Sequence, residues 1–358
     1  MVNKPAINLY EVENQTNQPS PAGIMQIGTG FWASKILLTA VNFQLFTHLA
    51  KKGSMTGKEI KTLLGFNCLD RHVFDFLDTL THFGFLKRAG LLDTAHYSNG
   101  LDTDLFLDKA KPSYIGGLLE MLNNRLYGFW GNLEEALQSG KCQNEVKGGG
   151  VPFFETIYKD PEKLKGFVNA MTGIQVGNFV ALAQSFDFSK YHTFLDVGGS
   201  AGILSIMVAK HQPHITCTTF DLPPIKPVAE ETIQRFGVAD RVTAASGDFF
   251  AEGFPKADVI AMGNILHDWN EDVKLMLMRK AYDALSDGGA FIAIEGVIDN
   301  ERRENVFGIM MSLNMLIENT DGFDYSFADF DGWAKQVGFK TTAAIALTGP
   351  TSAVIAYK

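Results

Sequence analysis

A histidine that stands between an apolar run and an acid is the first residue of this chain that could do chemistry. His267 lies in the stretch NILHDWNED (264–272), where Asp268 and Trp269 follow it directly. The imidazole has an ordinary pKa close to neutral pH, so it can take a proton from a substrate hydroxyl. A histidine beside a strand is more often structural, so the role of His267 depends on its neighbours in the fold.

A glycine-rich turn is the second chemical feature. The stretch FLDVGGSAG (194–202) predicts a strand that runs into a turn and then a helix, with Asp196 inside the motif. Three glycines let the backbone approach a ligand closely and leave helix amide groups facing an anion: Gly198, Gly199 and Gly202. Asp221 ends the next strand in TTFDLPP, where a carboxylate can accept both hydroxyls of a ribose. These features alone fit NAD as well as other nucleoside cofactors.

A third acid narrows the choice of cofactor. Asp248 and Phe249, in SGDFF, follow the third predicted strand, where Asp248 could accept from an adenine amino group while Phe249 packs on the ring. The ligand crevice of an open α/β sheet lies outside the carboxyl ends of its strands, and all three acids fall at such ends. A single acid there is an ordinary helix cap, but three together indicate a site for an adenosine-containing cofactor.

The elements that must position these residues begin at residue 193. Short β-branched runs alternate with helical segments from there on, which predicts a parallel sheet with helical crossovers. FKTTAAIAL and TSAVIAYK predict two further strands, added antiparallel at the sheet edge. We therefore predict an α/β fold with a seven-stranded, Rossmann-like domain over 191–358.

The N-terminal part predicts a different architecture. Residues 1–22 are polar and predict an arm. Over 23–110, apolar and amphipathic helices precede the segments FLKR and HYSNG, which together indicate a mainly α-helical, winged-helix-like domain. Between 25 and 110, nine Lys or Arg are balanced by eight Asp or Glu, so DNA binding is disfavoured and a homodimer explains the apolar helix better. Residues 111–190 predict linking helices that contribute to the substrate pocket.

The composition excludes several classes of protein. A chain of 358 residues, 46% of them hydrophobic, can build two domains with sizeable cores. A net charge of −9 argues against a nucleic-acid or anionic-membrane partner. Three separated cysteines predict no disulfide framework, and HQPH (211–214) has no acidic partner nearby, so no metal is expected. Without a signal peptide or a run of about 18 apolar residues, we expect a cytoplasmic protein.

Taken in order and spacing, these motifs resemble those of a known family. Over 191–358 the chain resembles the class I S-adenosylmethionine-dependent methyltransferases, and from about residue 24 it resembles the small-molecule O-methyltransferases of the plant caffeate type and the acetylserotonin type. The resemblance is carried by LDVGGSAG, FDLPP, GDFF, LHDWNED, LSDGGAFIAIEGVI, MMSLNMLI and WAKQVGF. Gly263 and Asn264 depart from it, because plant members carry Lys and Trp there. The acceptor pocket is therefore expected to differ from that of a plant phenylpropanoid enzyme.

The resemblance implies methyl transfer from S-adenosylmethionine to a hydroxyl of a small, aromatic molecule. Gly198 would meet the methionine part, Asp221 the ribose, and Asp248 with Phe249 the adenine. The full cofactor-binding set that we predict is Asp196, Gly198, Gly199, Gly202, Asp221, Leu222, Asp248, Phe249 and Asn264.

The resemblance also implies a base and its orienting acids. The donor is activated by its positive charge, so the protein must align the acceptor and remove its proton, a task that fits His267. Glu295, in AIEGVI, and Asp324, in GFDYS, would flank the imidazole, with Asp324 in place of a longer Glu. Asp268 is expected to cap the helix that begins at NEDVKLML.

The acceptor pocket should be apolar, with thioethers that suit flat rings. The predicted substrate-binding residues are Phe167, Met171, Asn124, Arg125, Tyr127, Met310, Met311 and Asn314. Phe31 and Trp32 are expected to enter from the partner subunit, as the resemblance implies. Arg125 would suggest a substrate carboxylate if it faced the pocket, and an ordinary surface ion pair otherwise.

Three other functions fit part of the pattern. An S-, N- or C-methyltransferase would use His267 only to position the acceptor. An NAD-dependent oxidoreductase would share the glycine loop and Asp221, but it would leave Asp248 and the LHDW run without a role. A non-catalytic regulatory protein would rest on the winged helix alone, against the balanced charge of that region.

Overall fold

The computed structural model describes residues 19–111, 113–151, 156–319 and 321–358. This part of the chain divides into two compact units, one that ends at Tyr127 and one that runs from Gly128 to Lys358. The segment predicted as linking helices, 111–190, therefore contributes to both units. Most of the arm predicted over 1–22 lies outside the described residues.

The first unit is mainly helical. Its elements are α1 (Ala22–Gly28), α2 (Gly30–Asn42), α3 (Leu45–Lys52), β1 (Met55–Thr56), α4 (Gly57–Leu64), α5 (Asp70–His82), β2 (Leu86–Ala89), β3 (His96–Asn99), α6 (Leu101–Phe106) and α7 (Gly116–Met121). A π-helical turn (Leu122–Leu126) follows α7. The segments FLKR and HYSNG, predicted as a wing, form the antiparallel strands β2 and β3, and the sheet order is β1-β3-β2.

Apolar packing and a helix cap explain this unit. Phe46 and Leu77 are buried side chains of its core. Helix α4 begins with a capping box: Glu59 N donates to Thr56 Oγ1 over 3.3 Å, and Thr56 N donates to Glu59 Oε2 over 2.7 Å. The box satisfies backbone donors that the helix itself leaves unpaired.

An apolar stretch at the start of this unit has little cover within the chain. The stretch Ala22–Asn42 is long and apolar enough, by length and composition alone, to cross a membrane. Only 17% of its 18-residue apolar window is buried within the chain. No such stretch was expected from the sequence, because Gln26 and Lys35 interrupt the apolar run. Large side chains on α1 and α2 are exposed: Ile24, Met25, Ile27, Phe31 and Trp32.

The second unit is an α/β domain. Its helices are α8 (Tyr127–Trp130), α9 (Leu133–Ser139), α10 (Pro161–Ser185), α11 (Ile203–His211), α12 (Lys226–Phe236), α13 (Glu271–Ala284), α14 (Val306–Asn319) and α15 (Phe327–Val337). Its strands are β4 (Thr193–Val197), β5 (Thr216–Asp221), β6 (Val242–Ser246), β7 (Ala257–Gly263), β8 (Leu285–Glu295), β9 (Thr341–Ala346) and β10 (Ser352–Tyr357).

These strands form one sheet in the order β6-β5-β4-β7-β8-β10-β9, which confirms the predicted seven-stranded fold for the described residues. Strand β10 pairs antiparallel with β8 and β9, whereas β4 to β8 are mutually parallel. Two apolar cores cover the two faces, so central strands such as β8 are buried on both sides. The order reverses at β4, where the ligand crevice of such a sheet opens at the carboxyl ends of the strands.

Candidate active site

The loop after β4 has no room for a side chain at its glycine positions Gly198 and Gly199. Gly198 and Gly202 have positive φ values of 70° and 74°, which glycine adopts without strain. A Cβ atom on Gly199 would lie 2.6 Å from Asp196 Oδ2 and would also overlap Thr219 Oγ1. At Gly199 the loop backbone therefore lies directly against Asp196 and Thr219, and only a residue without a side chain fits there.

Two polar groups are buried beneath the loop. Asp196 is 2% exposed, and its Oδ2 has no hydrogen-bond partner among the described residues, as is also true of Thr219 Oγ1. Burial, with a smaller effect from Asp221, raises the pKa of Asp196 to about 8. A buried carboxyl with an unused oxygen beneath a glycine loop fits a site that takes a polar ligand.

Asp221, the last residue of β5, accepts hydrogen bonds from two backbone N–H groups. Its Oδ2 accepts from Ser200 N over 2.8 Å, and its Oδ1 accepts from Leu222 N over 2.7 Å. Burial raises the pKa of Asp221, and the two backbone donors oppose that shift. Each carboxylate oxygen retains lone-pair capacity for a ligand hydroxyl.

The loop after β6 supplies an aromatic wall. Asp248 Oδ1 accepts from Phe250 N over 2.8 Å, and this hydrogen bond stabilises the turn that begins at Asp248. The ring of Phe249 lies 4.8 Å from that of Phe250 and 6.1 Å from that of Trp269. Lys280 Nζ donates to Phe249 O over 2.7 Å and holds this loop from α13.

Asn264 directly follows β7 with a φ of 54°, a left-handed conformation that asparagine tolerates better than most residues. Its N–H donates to Ile294 O over 3.1 Å. The predicted cofactor residues thus lie at or just after the carboxyl ends of the neighbouring strands β4, β5, β6 and β7. The narrow glycine cradle and the unused carboxyl oxygen both fit an adenosine-containing cofactor.

His267 lies in a short turn after β7 and is 8% exposed. Its Nδ1 is 3.4 Å from Asp324 Oδ1, and its Nε2 is 3.7 Å from Asp268 Oδ1. Its backbone N–H donates to Glu295 Oε1 over 3.2 Å. Asp324 therefore reaches the imidazole although it is shorter than Glu, while Glu295 holds the backbone of the turn.

Buried acids control the charge of this histidine. Burial alone lowers the pKa of His267, but Glu295, Asp324 and Asp268 together raise it to about 10. Burial raises the pKa of Glu295 to about 7, and His267 opposes that shift. The surrounding acids therefore favour the protonated imidazole.

The expected role of Asp268 was wrong. The N-cap of α13 is Asn270, whose Oδ1 accepts from Val273 N over 3.1 Å. Asp268 faces the imidazole and accepts from Asn319 Nδ2 over 3.1 Å. Its side chain is 28% exposed, so it lies on the more open side of His267. The extended backbone at Trp269 places Asn270, and not Asp268, at the start of the helix.

The predicted acceptor residues of the second unit lie on two helices. Phe167 and Met171 are on α10, and Phe167 packs against the larger core. Three more are half-buried on α14: Met310, Met311 and Asn314. Asn314 Oδ1 accepts from Trp130 Nε1 over 2.9 Å, a contact that the sequence did not predict.

The remaining acceptor predictions lie in the first unit. Asn124 and Arg125 are in the π-helical turn, a feature that is frequent at functional sites. Tyr127 donates to Phe31 O over 3.2 Å, and Lys35 Nζ lies 4.6 Å from the centre of the Tyr127 ring. The roles of these residues toward an acceptor stay predictions.

Residues 130–340 match an O-methyltransferase domain, and residues 25–109 match an O-methyltransferase dimerisation domain. The chain belongs to the O-methyltransferase family. It is therefore an S-adenosylmethionine-dependent methyltransferase, and family membership decides against the oxidoreductase that the glycine loop alone allowed.

Individual relatives of this O-methyltransferase cover nearly all of the chain. It is 35% identical over 343 residues to the tetracenomycin polyketide synthesis 8-O-methyl transferase TcmO of Streptomyces glaucescens, with 96% of this chain and 98% of the relative covered. It is 28% identical to the N,N-dimethyltransferase OxyT of Streptomyces rimosus, with 90% and 91% covered. The crystal structure of human N-acetylserotonin methyltransferase with SAM has the same fold, with a TM-score of 0.85, 24% identity, and 96% and 99% covered.

The two acids expected beside His267 in this methyltransferase form a cluster with it whose capacity to bind a metal was not predicted from the sequence. His267, Glu295 and Asp324 each offer a donor atom, and these atoms lie within 4.8 Å of one another, so they could hold a metal ion. The sequence predicted no metal, and transfer of a methyl group from a sulfonium requires no Lewis acid. The catalytic roles expected of these three residues stay predictions.

Proposed function

We propose that the protein transfers a methyl group from S-adenosylmethionine to a phenolic hydroxyl of a small aromatic molecule, with His267 as the general base. The observation that carries this proposal is the placement of a buried imidazole between Asp324 and Asp268. It follows β7, next to the strand whose carboxyl end carries the glycine loop. Nδ1 faces the enclosed Asp324, which leaves Nε2 to receive the proton of the acceptor.

The buried acids stabilise the imidazolium that this step creates. Asp324 holds the ring from the Nδ1 side, and Glu295 holds the backbone N–H of the same residue. Orientation of the base by a carboxylate is the arrangement that general-base catalysis requires. The cofactor supplies an electrophilic methyl group and a positive charge, and a positive charge near an imidazole lowers its pKa. A fall of the His267 pKa from about 10 is needed before the residue can accept a proton at neutral pH.

The cofactor-holding residues follow from the same strand ends. Gly198 and Gly199 would give backbone access to the methionine part, and Asp221 with Leu222 would meet the ribose. Phe249 would pack on the adenine. The unused oxygen of Asp196 fits a role beneath the loop.

The acceptor is expected to be flat and apolar, because Met310 and Met311 offer adaptable thioethers from α14. The relative TcmO is named as an 8-O-methyl transferase of tetracenomycin polyketide synthesis, which supports a hydroxyl acceptor here. The relative OxyT is named as an N,N-dimethyltransferase, so an amine acceptor is the second candidate.

Labelled methyl transfer tests this function. Purified protein would be incubated with isotope-labelled S-adenosylmethionine and a panel of polycyclic phenols and aromatic amines, beside the variants His267→Gln and His211→Gln. We expect a labelled aryl methyl ether, and a fall of roughly 10² to 10⁴ in kcat for His267→Gln only. His211 lies at the end of α11 and serves as the matched control.

Other outcomes would change the assignment. A labelled amine whose formation survives in His267→Gln would make the protein an N-methyltransferase in which the histidine only positions the acceptor. Loss of activity after dialysis against a chelator, with recovery on adding zinc, would show a metal in the cluster of His267, Glu295 and Asp324.

We further propose a cytoplasmic homodimer formed through the first unit. Support comes from the match of residues 25–109 to a dimerisation domain and from the exposed apolar side chains of α1 and α2. A second copy that covers these side chains removes them from water, which accounts for the apolar stretch without a membrane. Phe31 and Trp32, exposed at 56% and 60%, are the residues proposed to reach the partner's acceptor site.

A further inference from the structure

A lysine is completely buried against the turn that carries His267. Lys274, on α13, is 0% exposed. Its Nζ donates to Trp269 O and lies 3.4 Å from the centre of the Phe323 ring, with the rings of Tyr325 and Trp333 at 5.9 Å and 5.8 Å. A buried ammonium is costly unless an opposite charge compensates it.

The start of helix α13 does not favour a cation at this position. Lys274 lies four residues after Asn270, the N-cap of α13, and the N-terminal end of a helix disfavours positive charge. An aromatic cage contributes through its ring faces but does not replace the lost water. The helix pattern VKLMLM also places this position among buried neighbours such as Leu277 and Met278.

The acids around His267 provide the compensation. Glu295, Asp324 and Asp268 interact with both His267 and Lys274, and Glu271 on α13 interacts with Lys274 as well. Burial lowers the pKa of Lys274 to about 8, and the four carboxylates oppose that shift. The lysine therefore carries its charge at neutral pH.

The other polar groups around this cluster are few. Tyr325, buried beside Glu295, stays protonated because burial raises its pKa well above the ordinary value. Asp324 also lines a cavity of about 640 Å³, together with Arg302, Glu271 and Asp329. Lys274 is thus the buried cation that shares the acids with His267 within the described residues.

We propose that Lys274 is a positioning residue of this methyltransferase, one whose buried charge sets the protonation state of His267 through the shared carboxylates. With Lys274 present, part of the negative charge is neutralised, so the imidazole holds its proton less tightly. The ammonium also fixes the carbonyl of Trp269 and with it the turn that carries His267. The inference rests on the proposed role of His267 as the base.

The direct test is the titration of His267 in the free protein. Protein with isotope-labelled histidine would be followed by NMR against pH, with His267→Gln used to assign the signal. In Lys274→Met, which preserves length and apolar packing, we expect the midpoint of His267 to rise by about one pH unit or more. Lys274→Arg should restore most of the wild-type midpoint, because it keeps the charge.

A matched control separates charge from packing. Lys358 makes the same kinds of contact, with Nζ 2.7 Å from Tyr282 O, 2.8 Å from Leu285 O and 4.6 Å from the Tyr282 ring centre. It follows β10, whose last residue, Tyr357, pairs with Ala290, whereas Glu295 pairs with Ser352 at the other end of β10. We expect Lys358→Met to lower thermal stability without moving the His267 midpoint.

Activity provides the second readout. The acid limb of kcat against pH should move to higher pH in Lys274→Met by the same amount as the NMR midpoint. An unchanged midpoint in a folded Lys274→Met would overturn the inference. An activity in His267→Gln equal to that of the wild type would instead overturn the proposed base, while the NMR comparison would still decide the role of Lys274.

Discussion

The Nδ1 atom of His267 lies 3.4 Å from Oδ1 of Asp324, and both side chains are buried. Strand β7 delivers the histidine and the segment before α15 delivers the acid, so the pair exists only in the folded chain. Neither Asp324 oxygen has a hydrogen-bond partner within the described residues. The imidazole of His267 is the group that this buried side chain faces.

Removal of the negative charge of Asp324 should shift the pH dependence of kcat for methyl transfer. Asp324 raises the pKa of His267, so Asp324→Asn should lower that pKa and move the acid limb of kcat to lower pH. At the optimum, kcat should fall by roughly 10²-fold, because the imidazolium loses its orienting partner. A pH series of initial rates would measure both effects.

Asp258→Asn is the matched control for this acid. Asp258 is at the start of β7 and accepts from His192 N and Thr193 N over 2.8 Å and 3.0 Å, at the opposite end of the same strand. Loss of the Asp258 carboxylate should lower thermal stability but leave the pH dependence of kcat unchanged. Equal shifts in the two variants would contradict a specific role for Asp324.

The glycine loop allows a test of cofactor binding. In Gly199→Ala the new methyl group would overlap Thr219 and approach Asp196 Oδ2 to 2.6 Å, so the loop must move. Overpacking of this kind costs about 1 to 3 kcal/mol, and we expect at least a tenfold rise in the Kd for S-adenosylmethionine. Calorimetry would measure it, with Gly253→Ala as control because nothing lies within 4 Å of its added Cβ. An unchanged Kd for S-adenosylmethionine in Gly199→Ala would show that the cofactor does not bind at this loop.

The sequence predicts those site residues whose position depends on a neighbouring strand, and it does not predict those whose position depends on tertiary packing. Asp196, Asp221 and His267 lie in or close after the carboxyl ends of apolar strands, and the geometry of a parallel sheet brings such strand ends together. Asp268 was misjudged because the direction of a side chain leaving a short turn is not encoded in residue spacing. Lys274 was overlooked because a lysine in an amphipathic helix pattern is usually solvated.

Contacts between distant segments are the other features that the sequence could not supply. The hydrogen bond between Trp130 and Asn314 joins residues separated by 184 positions, so no periodic pattern relates them. The reach of Asp324 to His267 likewise depends on how the segment before α15 packs, and side-chain length alone did not decide it. Such pairs depend on tertiary packing.

The buried carboxyl beneath the loop should make the ligand-free protein sensitive to pH. The pKa of Asp196 is raised to about 8 from the ordinary value of 3.8, so its contribution to stability is present below pH 3.8 and is lost as the pH rises through about 8. Asp196→Asn removes this loss. Its melting temperature relative to the wild type should therefore increase from pH 5 to pH 9, by roughly 5 °C. A difference that stays constant over this range would show that Asp196 is ionised at every pH tested.

The exposed side chains of α1 and α2 predict how the dimer can be broken. Ile24 and Trp32 are 77% and 60% exposed within one chain, so a double change to Glu should leave the monomer folded and place charge in the proposed interface. Analytical ultracentrifugation should then give a monomer where the wild type is a dimer. Leu101→Glu is the control, because Leu101 is 79% exposed in the same unit but lies on α6. A dimer that persists in the double variant but dissociates in Leu101→Glu would place the interface around α6.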